Sequence, residues 1–408
     1  MIVRNLAEQL RAHPTDFHPL LLLVDIRKAY PRVPRSLAWQ LFSRLGFPPL
    51  LLRQLQGLHD HAHYAIQTPA GTGRTYTNSR GFREGCPSSP ACFNVFHTFP
   101  LKQFTTERHS KRGAAPLRGG LQWNKPFSKV TRPKSARENH LEVHLDDVLF
   151  ADYTTVFTTL GHFREDEEHL RQVMATWGED LHADKTERLP LGISPAEAAR
   201  ISNTPEQSFQ RQAKFLGAWI TTDASQRIDT EKRLQRAKHI WYKLWPQLRR
   251  INIPATTKGR LFRSTVLASL CYSAEGRGFT QGEIRRMQVF VNNCIFGILN
   301  VKRKDVHDNK QTMVDLWRKT GIPSVAVEIG SRQLRWLGHL ARMPDDRLEK
   351  QSLWLWLYTK DQPHRGRRRL AQGTLDTNRA LCARLQDPRK ILSIEETGWS
   401  RDWITRAY

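Results

Sequence analysis

The chain has 408 residues, enough for two or three domains with their own hydrophobic cores. Its 64 lysines and arginines against 39 acidic residues give a formal net charge of +25, which predicts a polyanionic partner, above all nucleic acid. The five cysteines are scattered and show no zinc-ligand spacing, which argues against a disulfide framework or a zinc finger. The longest apolar run, residues 20–24, is too short to span a bilayer, and no signal-peptide pattern is present. We therefore expect a nuclear or cytoplasmic protein that is neither secreted nor membrane-bound.

The first part of the chain predicts a buried strand followed by helices and a hairpin. Residues 20–24 form a continuous apolar run, typical of a strand buried on both faces, and it ends at Asp25. A helix over residues 36–45 stops at Gly46, and its inner face is predicted to carry Leu37, Leu41 and Leu45. Further helices are predicted over 50–58 and 89–104, a hairpin over 63–67 and 74–78 with its turn at 71–73, and a basic loop over 102–139.

The second part changes from strands to helices. Two apolar strands are predicted within residues 143–157, around a tight turn at 151–153, and an amphipathic helix over 165–177. Strands are then predicted over 185–191 and 215–220, and helices from 229 onward, over 260–271 and over 283–299. The remainder, from about residue 331, is rich in Arg and Trp and contains a basic cluster at 365–369.

Two acidic residues stand at predicted strand ends, far apart in the sequence. Asp25 follows the first apolar strand and Asp152 lies in the turn within 143–157, as a site that binds two Mg²⁺ ions requires. The alternative for Asp25 alone is a carboxylate that caps the next turn. Tyr30, five residues later, could lie against the sugar of a nucleotide, or it could be an ordinary core aromatic.

Five strings, in this order, resemble the palm motifs of the reverse transcriptases of non-LTR (LINE-like) retrotransposons. They are DIRKAYPRV (25–33), GFREGCPSSPACFN (81–94), LFADYTTVF (149–157), WGEDLHADKTERLPLG (177–192) and AKFLGAWIT (213–221). They are called the first to fifth motifs below. RQLRWLGHLARMPDD (332–346) resembles a segment that follows the thumb in these elements, so the resemblance extends more weakly to about residue 350.

The resemblance implies a fold and a division into domains. The fold is α/β (α+β): a right-hand polymerase palm with an antiparallel sheet and packed helices, then an α-helical thumb and a basic helical tail. The predicted domains are a palm with a remnant of the fingers (1–224), the thumb (225–330) and a basic Arg/Trp-rich C-terminal region (331–408). Family members carry a fingers region before the first motif, so we expect this chain to be truncated at its N-terminus.

The resemblance also implies roles for individual residues. Asp25 and Asp152, helped by the carbonyl of Ile26, would bind catalytic Mg²⁺ or Mn²⁺. Tyr30 would act as a sugar gate, and Lys185 would protonate pyrophosphate. The nucleotide and template pocket would be shaped by Arg83, Gly85, Ser89 and Pro90, and the primer would be gripped by Phe215, Leu216 and Gly217. The implied partners are an RNA template, a DNA primer or RNA/DNA hybrid, and deoxynucleoside triphosphates.

Two residues within the motifs, Tyr153 and Glu84, depart from the family pattern. Tyr153 stands where a second aspartate is usual, and a phenol with a reference pKa of about 10 stays neutral and is a poor Mg²⁺ ligand. Asp146 and Asp147 lie five to seven residues back along the same strand, roughly 16–23 Å away, which is too far to replace it. Glu84 stands where glutamine is more common, and we predict that its charge weakens nucleotide affinity.

Three alternatives stay open. A second register takes residues 144–148 (HLDDV) as the catalytic segment, although Asp152 has the better flanking residues and the better distance to Lys185. A second function is a non-catalytic protein that keeps the palm and thumb as a basic clamp for RNA or a hybrid duplex. A third possibility is an unselected pseudogene product, against which the regular apolar pattern through Leu299 argues.

Overall fold

The computed structural model describes residues 18–60, 62–112, 122–124, 140–142, 147–150, 153–223, 225, 227–250, 252–344, 347 and 349. It divides into two compact units. The sheet unit comprises the described residues within 13–121 and 144–216, and the helical unit comprises the described residues within 122–143 and from 217 onward. Asp152 and the basic cluster at 365–369 lie outside the described residues.

The sheet unit is built on a four-stranded antiparallel sheet. Its strands are β1 (Pro19–Asp25), β8 (Asp147–Phe150), β9 (Tyr153–Thr159) and β10 (Glu187–Pro190), in the order β10-β1-β9-β8. The central strand is β1, where Leu20, Leu21 and Leu22 have no exposed surface. Successive side chains of a strand point to opposite faces, so the apolar run is buried on both faces, as predicted.

Helices pack on this sheet through a shared aromatic and aliphatic core. They are α1 (Ala29–Arg32), α2 (Arg35–Arg44), α3 (Pro49–Asp60), α4 (Ser89–Arg112), α5 (Phe163–Thr176) and α6 (Pro195–Ser202). The helix predicted over 36–45 is confirmed, and of the three leucines on its predicted face Leu37 and Leu41 pack partly buried against the core. The face that α2 buries carries Ala38, Trp39 and Phe42, while Leu45 is 46% exposed. Aromatic side chains bury more area than leucine, so they decide which face turns inward.

Three segments of the sheet unit and its C-terminal end differ in their bounds from the predicted elements. Helix α4 continues to Arg112, through the start of the predicted basic loop. The predicted hairpin is present as β2 (His63–Tyr64) with β5 (Tyr76–Thr77), and a second pair, β3 (Gln67–Thr68) with β4 (Gly71–Thr72), occupies the predicted turn. The strand predicted over 215–220 is interrupted at Leu216 and Gly217, which both have positive φ. The strand β11 (Gln212–Phe215) ends just before these two residues, and β12 (Ala218–Thr221) begins just after them.

The helical unit follows from Gly217. Its helices are α7 (Arg227–Arg250), α8 (Ala255–Phe262), α9 (Ala268–Leu270), α10 (Gln281–Leu299), α11 (Arg303–Asp308), α12 (Met313–Thr320) and α13 (Val325–Ala341), and a π turn, Arg263–Leu267, joins α8 to α9. A short pair, β6 (Gln122–Asn124) with β7 (His140–Glu142), also belongs to this unit. The fold is therefore mixed, with helices and antiparallel sheets. Among the described helices, none is long and apolar enough to cross a membrane.

Gly259 allows helices α8 and α12 to approach closely. A Cβ atom at this position would lie 1.9 Å from the backbone oxygen of Thr320, so an alanine would force the two helices apart. We expect Gly259→Ala to destabilise the helical unit by about 1–3 kcal/mol, the usual cost of overpacking, in chemical unfolding. Gly282→Ala on α10, which meets no atom within 4 Å, is the matched control, and a similar loss in both variants would contradict the prediction.

Candidate functional site

Asp25 ends β1 at a point where three segments of the sheet unit meet. On one side its backbone pairs with Tyr153, the first residue of β9 and the chain neighbour of Asp152. On the other side the amide of His182 donates to the carbonyl oxygen of Asp25 at 2.9 Å, and Ile26 forms a bridge with Leu181. The register thus brings the first, third and fourth motifs together at one end of the sheet.

Lys185 reaches Asp25 from the fourth motif. It ends a single turn of 3₁₀-helix, Ala183–Lys185, and its Nζ donates to Oδ2 of Asp25 at 2.7 Å. The Lys185 side chain is 60% exposed and that of Asp25 is 20% exposed, so the pair is open to solvent on the lysine side. Two residues 160 positions apart that were predicted to share a site are therefore in direct contact.

The alternative catalytic segment, residues 144–148, is less compatible with the observed pairing of β8, β9 and β1. The backbone of Asp147 lies opposite Val156, which in turn lies opposite Leu22. That row is three residues away from the row of Asp25, or about 10 Å along the strands. The expected separation of roughly 16–23 Å from Tyr153 is therefore wrong for Asp147, because β8 and β9 are antiparallel neighbours and not one continuous strand. Asp146 lies outside the described residues.

The described residues do not complete a metal site. Mg²⁺ takes six oxygen ligands in near-octahedral geometry, usually with one or two carboxylates. Among the residues that the structure describes, no group of three or more histidine, cysteine or acidic side chains could hold a metal ion. The carboxylate at the end of β1 is that of Asp25, and it is in contact with Lys185.

Asp180 is a residue of this region that sequence reasoning missed. Its Oδ2 accepts a hydrogen bond from Nη1 of Arg32 at 2.7 Å and lies 3.7 Å from Nε of Arg27. Its carbonyl oxygen also accepts from the amide of Arg27 at 2.8 Å. Asp180 therefore fastens the fourth motif to the first. Its own segment also carries Glu179 and Asp184, so no local sequence signal singled out Asp180.

The second motif forms the loop that leads into α4. Arg83, Gly85 and Pro90 are exposed, and Gly85 has a φ of 79°. Ser89 is 1% exposed, and its hydroxyl donates to the carbonyl oxygen of Arg83 at 2.6 Å. The serine therefore fixes the loop from inside, while the arginine side chain faces solvent.

Cys86 in the same loop has a thiol whose pKa is lowered by a neighbouring hydroxyl. Its Sγ lies 3.1 Å from Oγ of Ser88, and that hydrogen bond lowers the pKa of the Cys86 thiol below its usual range. Cys92, Cys271 and Cys294 are buried, and burial raises the pKa of the Cys271 thiol to about 12. Thiol reagents should therefore label Cys86 first among these four.

Tyr30 lies against the inner end of this loop. Its ring centroid is 5.0 Å from that of Phe93 on α4, and its carbonyl oxygen accepts from the amide of Phe82 at 2.8 Å. The side chain is only partly buried, so its packing and its proposed contact with a sugar are compatible.

His59 holds the base of the loop. Its Nδ1 accepts the amide proton of Arg83 at 3.0 Å, and its side chain has no exposed surface. The guanidinium of Arg35 donates to the carbonyl oxygens of His59 and Asn78. Burial, followed by the nearby Arg35 charge, lowers the pKa of His59 below its usual range. The neutral imidazole is therefore part of the fold.

His59 should make stability depend on pH. Because its pKa is lower in the folded than in the unfolded chain, the stabilisation is complete above about 6.5 and is lost as pH falls toward the folded pKa. We expect the free energy of unfolding to fall in that window by up to about 1.4 kcal/mol per pH unit more in the wild type than in His59→Gln. Denaturant titrations between pH 5 and 8 measure this, and parallel curves would count against it.

The three predicted primer-grip residues stand where the sheet unit ends and the helical unit begins along the chain. Phe215 ends β11, and Leu216 and Gly217 have φ values of 47° and 74°. Consecutive positive φ values are those of a type I′ turn. Within the helical unit, the Gly217 carbonyl oxygen accepts from Nη2 of Arg233 at 2.7 Å.

Comparison with known proteins gives little. No family model and no curated protein matches the chain. A structure of telomerase from Candida albicans in complex with the TWJ fragment of telomeric RNA is similar with a TM-score of 0.36 and 11% identity, over 87% of this chain and 52% of that chain. The chain thus spans about half the length of that telomerase (52%). The similarity is too low to support an argument about function.

Proposed function

We propose that the sheet unit is the palm of a nucleotidyl-transferring polymerase and that the helical unit includes its thumb. The observation that carries the proposal is the meeting of motifs at Asp25. Tyr153 of the third motif lies opposite it, and Lys185 of the fourth motif is 2.7 Å from its carboxylate. A transfer site of this kind needs carboxylates on rigid strand ends, and β1 is buried at every residue before Asp25.

More particularly, we propose an RNA-directed DNA polymerase domain of a non-LTR retrotransposon. The five motif strings in their family order support this assignment. Mg²⁺ or Mn²⁺ would be the cofactor, held by Asp25, Asp152 and the carbonyl of Ile26, and it would neutralise charge on the reacting phosphates. The substrates would be deoxynucleoside triphosphates on an RNA template with a DNA primer.

The chain's own residues have separate roles in this proposal. Lys185, which is exposed beside Asp25, would hold or donate a proton at the leaving pyrophosphate. Arg83, exposed on a loop fixed by His59 and Ser89, would contact the triphosphate. Tyr30, packed on Phe93, would limit the space at the sugar.

Primer extension on an RNA template tests the proposal. We expect Asp25→Asn to reduce extension at least about a hundredfold, because removing a metal-binding charge costs transition-state stabilisation of about 2.7 kcal/mol or more. The matched control is Asp184→Asn, an exposed carboxylate beside Lys185 in the fourth motif, which should retain activity. Extension that survives Asp25→Asn would refute the assignment of the site.

A second candidate, a non-catalytic nucleic-acid-binding protein, is favoured by one surface. Residues 232–250 of α7 contain no acidic residue. The exposed face of α7 carries a basic stripe formed by Lys232, Arg236, His239, Lys243 and Arg250. Tyr242, which is 69% exposed, lies beside this stripe. The residues of the stripe recur at spacings of three, four and seven, so they follow one side of the helix.

Salt-dependent RNA binding separates the two candidates. Each phosphate neutralised contributes about 0.7–0.9 to the slope of log K against log salt concentration. The double variant Arg236→Gln/Lys243→Gln should therefore lower that slope by about 1.5. The double variant Lys304→Gln/Lys310→Gln, exposed elsewhere in the helical unit, is the control. Salt-sensitive binding without any primer extension would favour the non-catalytic protein.

A further inference from the structure

His97 makes two directed hydrogen-bond contacts deep inside the sheet unit. Its Nδ1 lies 2.6 Å from Oε2 of Glu179, and its Nε2 lies 2.9 Å from Oγ1 of Thr154. The imidazole has no exposed surface, and Glu179 and Thr154 are 3% and 2% exposed. Buried polar groups carry a large desolvation cost, so a network of three in one place requires a reason beyond filling space.

The two partners of His97 belong to the segments on either side of Asp25. Thr154 follows Tyr153 on β9, and its backbone pairs with Val24. Glu179 begins the segment that runs along the end of β1. In that segment Asp180 bonds to the backbone of Arg27, Leu181 forms a bridge with Ile26, and His182 bonds to the backbone of Asp25. His97 therefore connects both flanks of the end of β1 through a single ring.

The same helix also contacts Tyr30. Phe93, one turn before His97 on α4, stacks on the imidazole with ring centroids 5.3 Å apart and planes inclined by 11°. The ring of Phe93 also lies 5.0 Å from that of Tyr30. One turn of α4 thus touches the aromatic residue of the first motif and both segments that flank Asp25.

We propose that His97 is a positioning residue for the nucleotidyl-transfer site, a role that rests on the proposed function of Asp25. Its bonds to Glu179 and Thr154 set the separation of the third and fourth motifs at the end of β1. Directed hydrogen bonds specify one arrangement, whereas apolar contacts of the same volume tolerate small shifts. A shift of 1 Å at a reacting group can cost about a hundredfold in rate.

A control histidine–glutamate pair joins α5 to α4, the helix of His97. His169 on α5 lies with its Nε2 2.7 Å from Oε2 of Glu107 on α4, is less buried than His97, and contacts neither partner of His97. His169→Phe therefore removes a histidine–glutamate pair from the sheet unit and leaves the bonds to Glu179 and Thr154 in place. Thr154→Val, which keeps the side-chain shape and removes one hydrogen bond of His97, serves if His97→Phe fails to fold.

Hydrogen exchange followed by mass spectrometry reads the effect without any need for catalysis. The amides of Arg27 and His182 are bonded to Asp180 and Asp25 across the two segments. We expect peptides over residues 26–32 and 178–186 to exchange at least tenfold faster in His97→Phe or Thr154→Val, relative to peptides from α6, which carries none of these substitutions, and to be unchanged in His169→Phe. Unchanged exchange in these peptides, or an equal change in the control, would overturn the proposal.

Primer extension gives the second readout. We expect His97→Phe to lower kcat at least tenfold with little change in the KM for nucleotide, because the residue touches no substrate. A rise in KM alone, with kcat intact, would contradict the positioning role. Faster exchange in His97→Phe, with no extension by either the parent chain or its Tyr153→Asp variant, would retain the role of His97 in holding the two segments and refute the polymerase function.

Discussion

Replacing Tyr153 by aspartate is expected to raise primer extension on an RNA template by about a hundredfold or more, equivalent to about 2.7 kcal/mol of transition-state stabilisation. The backbone of Tyr153 lies directly opposite Asp25, at the end of the sheet where the motifs meet. A phenol with a reference pKa of about 10 is neutral at pH 7 and a poor ligand for hard cations. An aspartate here would restore a negative charge beside the proposed metal ligands.

The control for this gain is Tyr153→Asn, which matches aspartate in size but carries no charge. We expect the asparagine variant to stay at the level of the parent chain, and Asp25→Asn to abolish the gain when it is combined with Tyr153→Asp. Equal rates in the aspartate and asparagine variants would show that side-chain size, and not charge, limits the reaction. An unchanged rate in all variants would contradict the prediction.

The second large effect is expected at Arg277, which neutralises a fully buried carboxylate. Its Nη1 lies 3.0 Å from Oδ2 of Asp229, and both side chains are at most 1% exposed. Arg277 also donates to Oγ1 of Thr230 at 2.6 Å and lies over the ring of Phe279 at 4.5 Å. Arg277→Met would leave Asp229 with a weaker neighbour, Arg233 at 3.4 Å, so we expect a loss of about 3–5 kcal/mol in stability.

Urea unfolding followed by tryptophan fluorescence measures this loss. Arg285→Met, an exposed arginine on α10, should change stability by less than about 0.5 kcal/mol. Arg277→Lys keeps the charge but loses the fork of donors, so its loss should lie between the two. A loss below about 1 kcal/mol in Arg277→Met would mean that Arg233 compensates for the missing charge.

Strong local patterns predicted much of the fold. The five-residue apolar run gave the buried central strand, and amphipathic periodicity gave the bodies of α2, α3 and α5. The inner face of α2 could not be predicted in the same way. Leucine spacing favoured one face, but Trp39 and Phe42 pack into a core whose other members come from distant segments.

The candidate site was predictable in composition but not in arrangement. The motif strings marked Asp25 and Lys185, and strand pairing explains why they meet. His97 and Glu179 lie 82 positions apart, and neither residue has a partner that a local pattern reveals. Buried polar contacts of this kind depend on tertiary structure, so only coordinates identify them.

The ion pair between Lys185 and Asp25 changes the electric field that an approaching polyanion meets. An isolated carboxylate at the end of the sheet would repel the phosphates of a nucleic acid. The ammonium of Lys185, 2.7 Å from Asp25 and 60% exposed, cancels that charge locally and presents the cation outward. Because the pair is neutral as a whole, it removes the repulsion that Asp25 alone would exert on phosphates within about a Debye length, or roughly 8 Å at physiological salt.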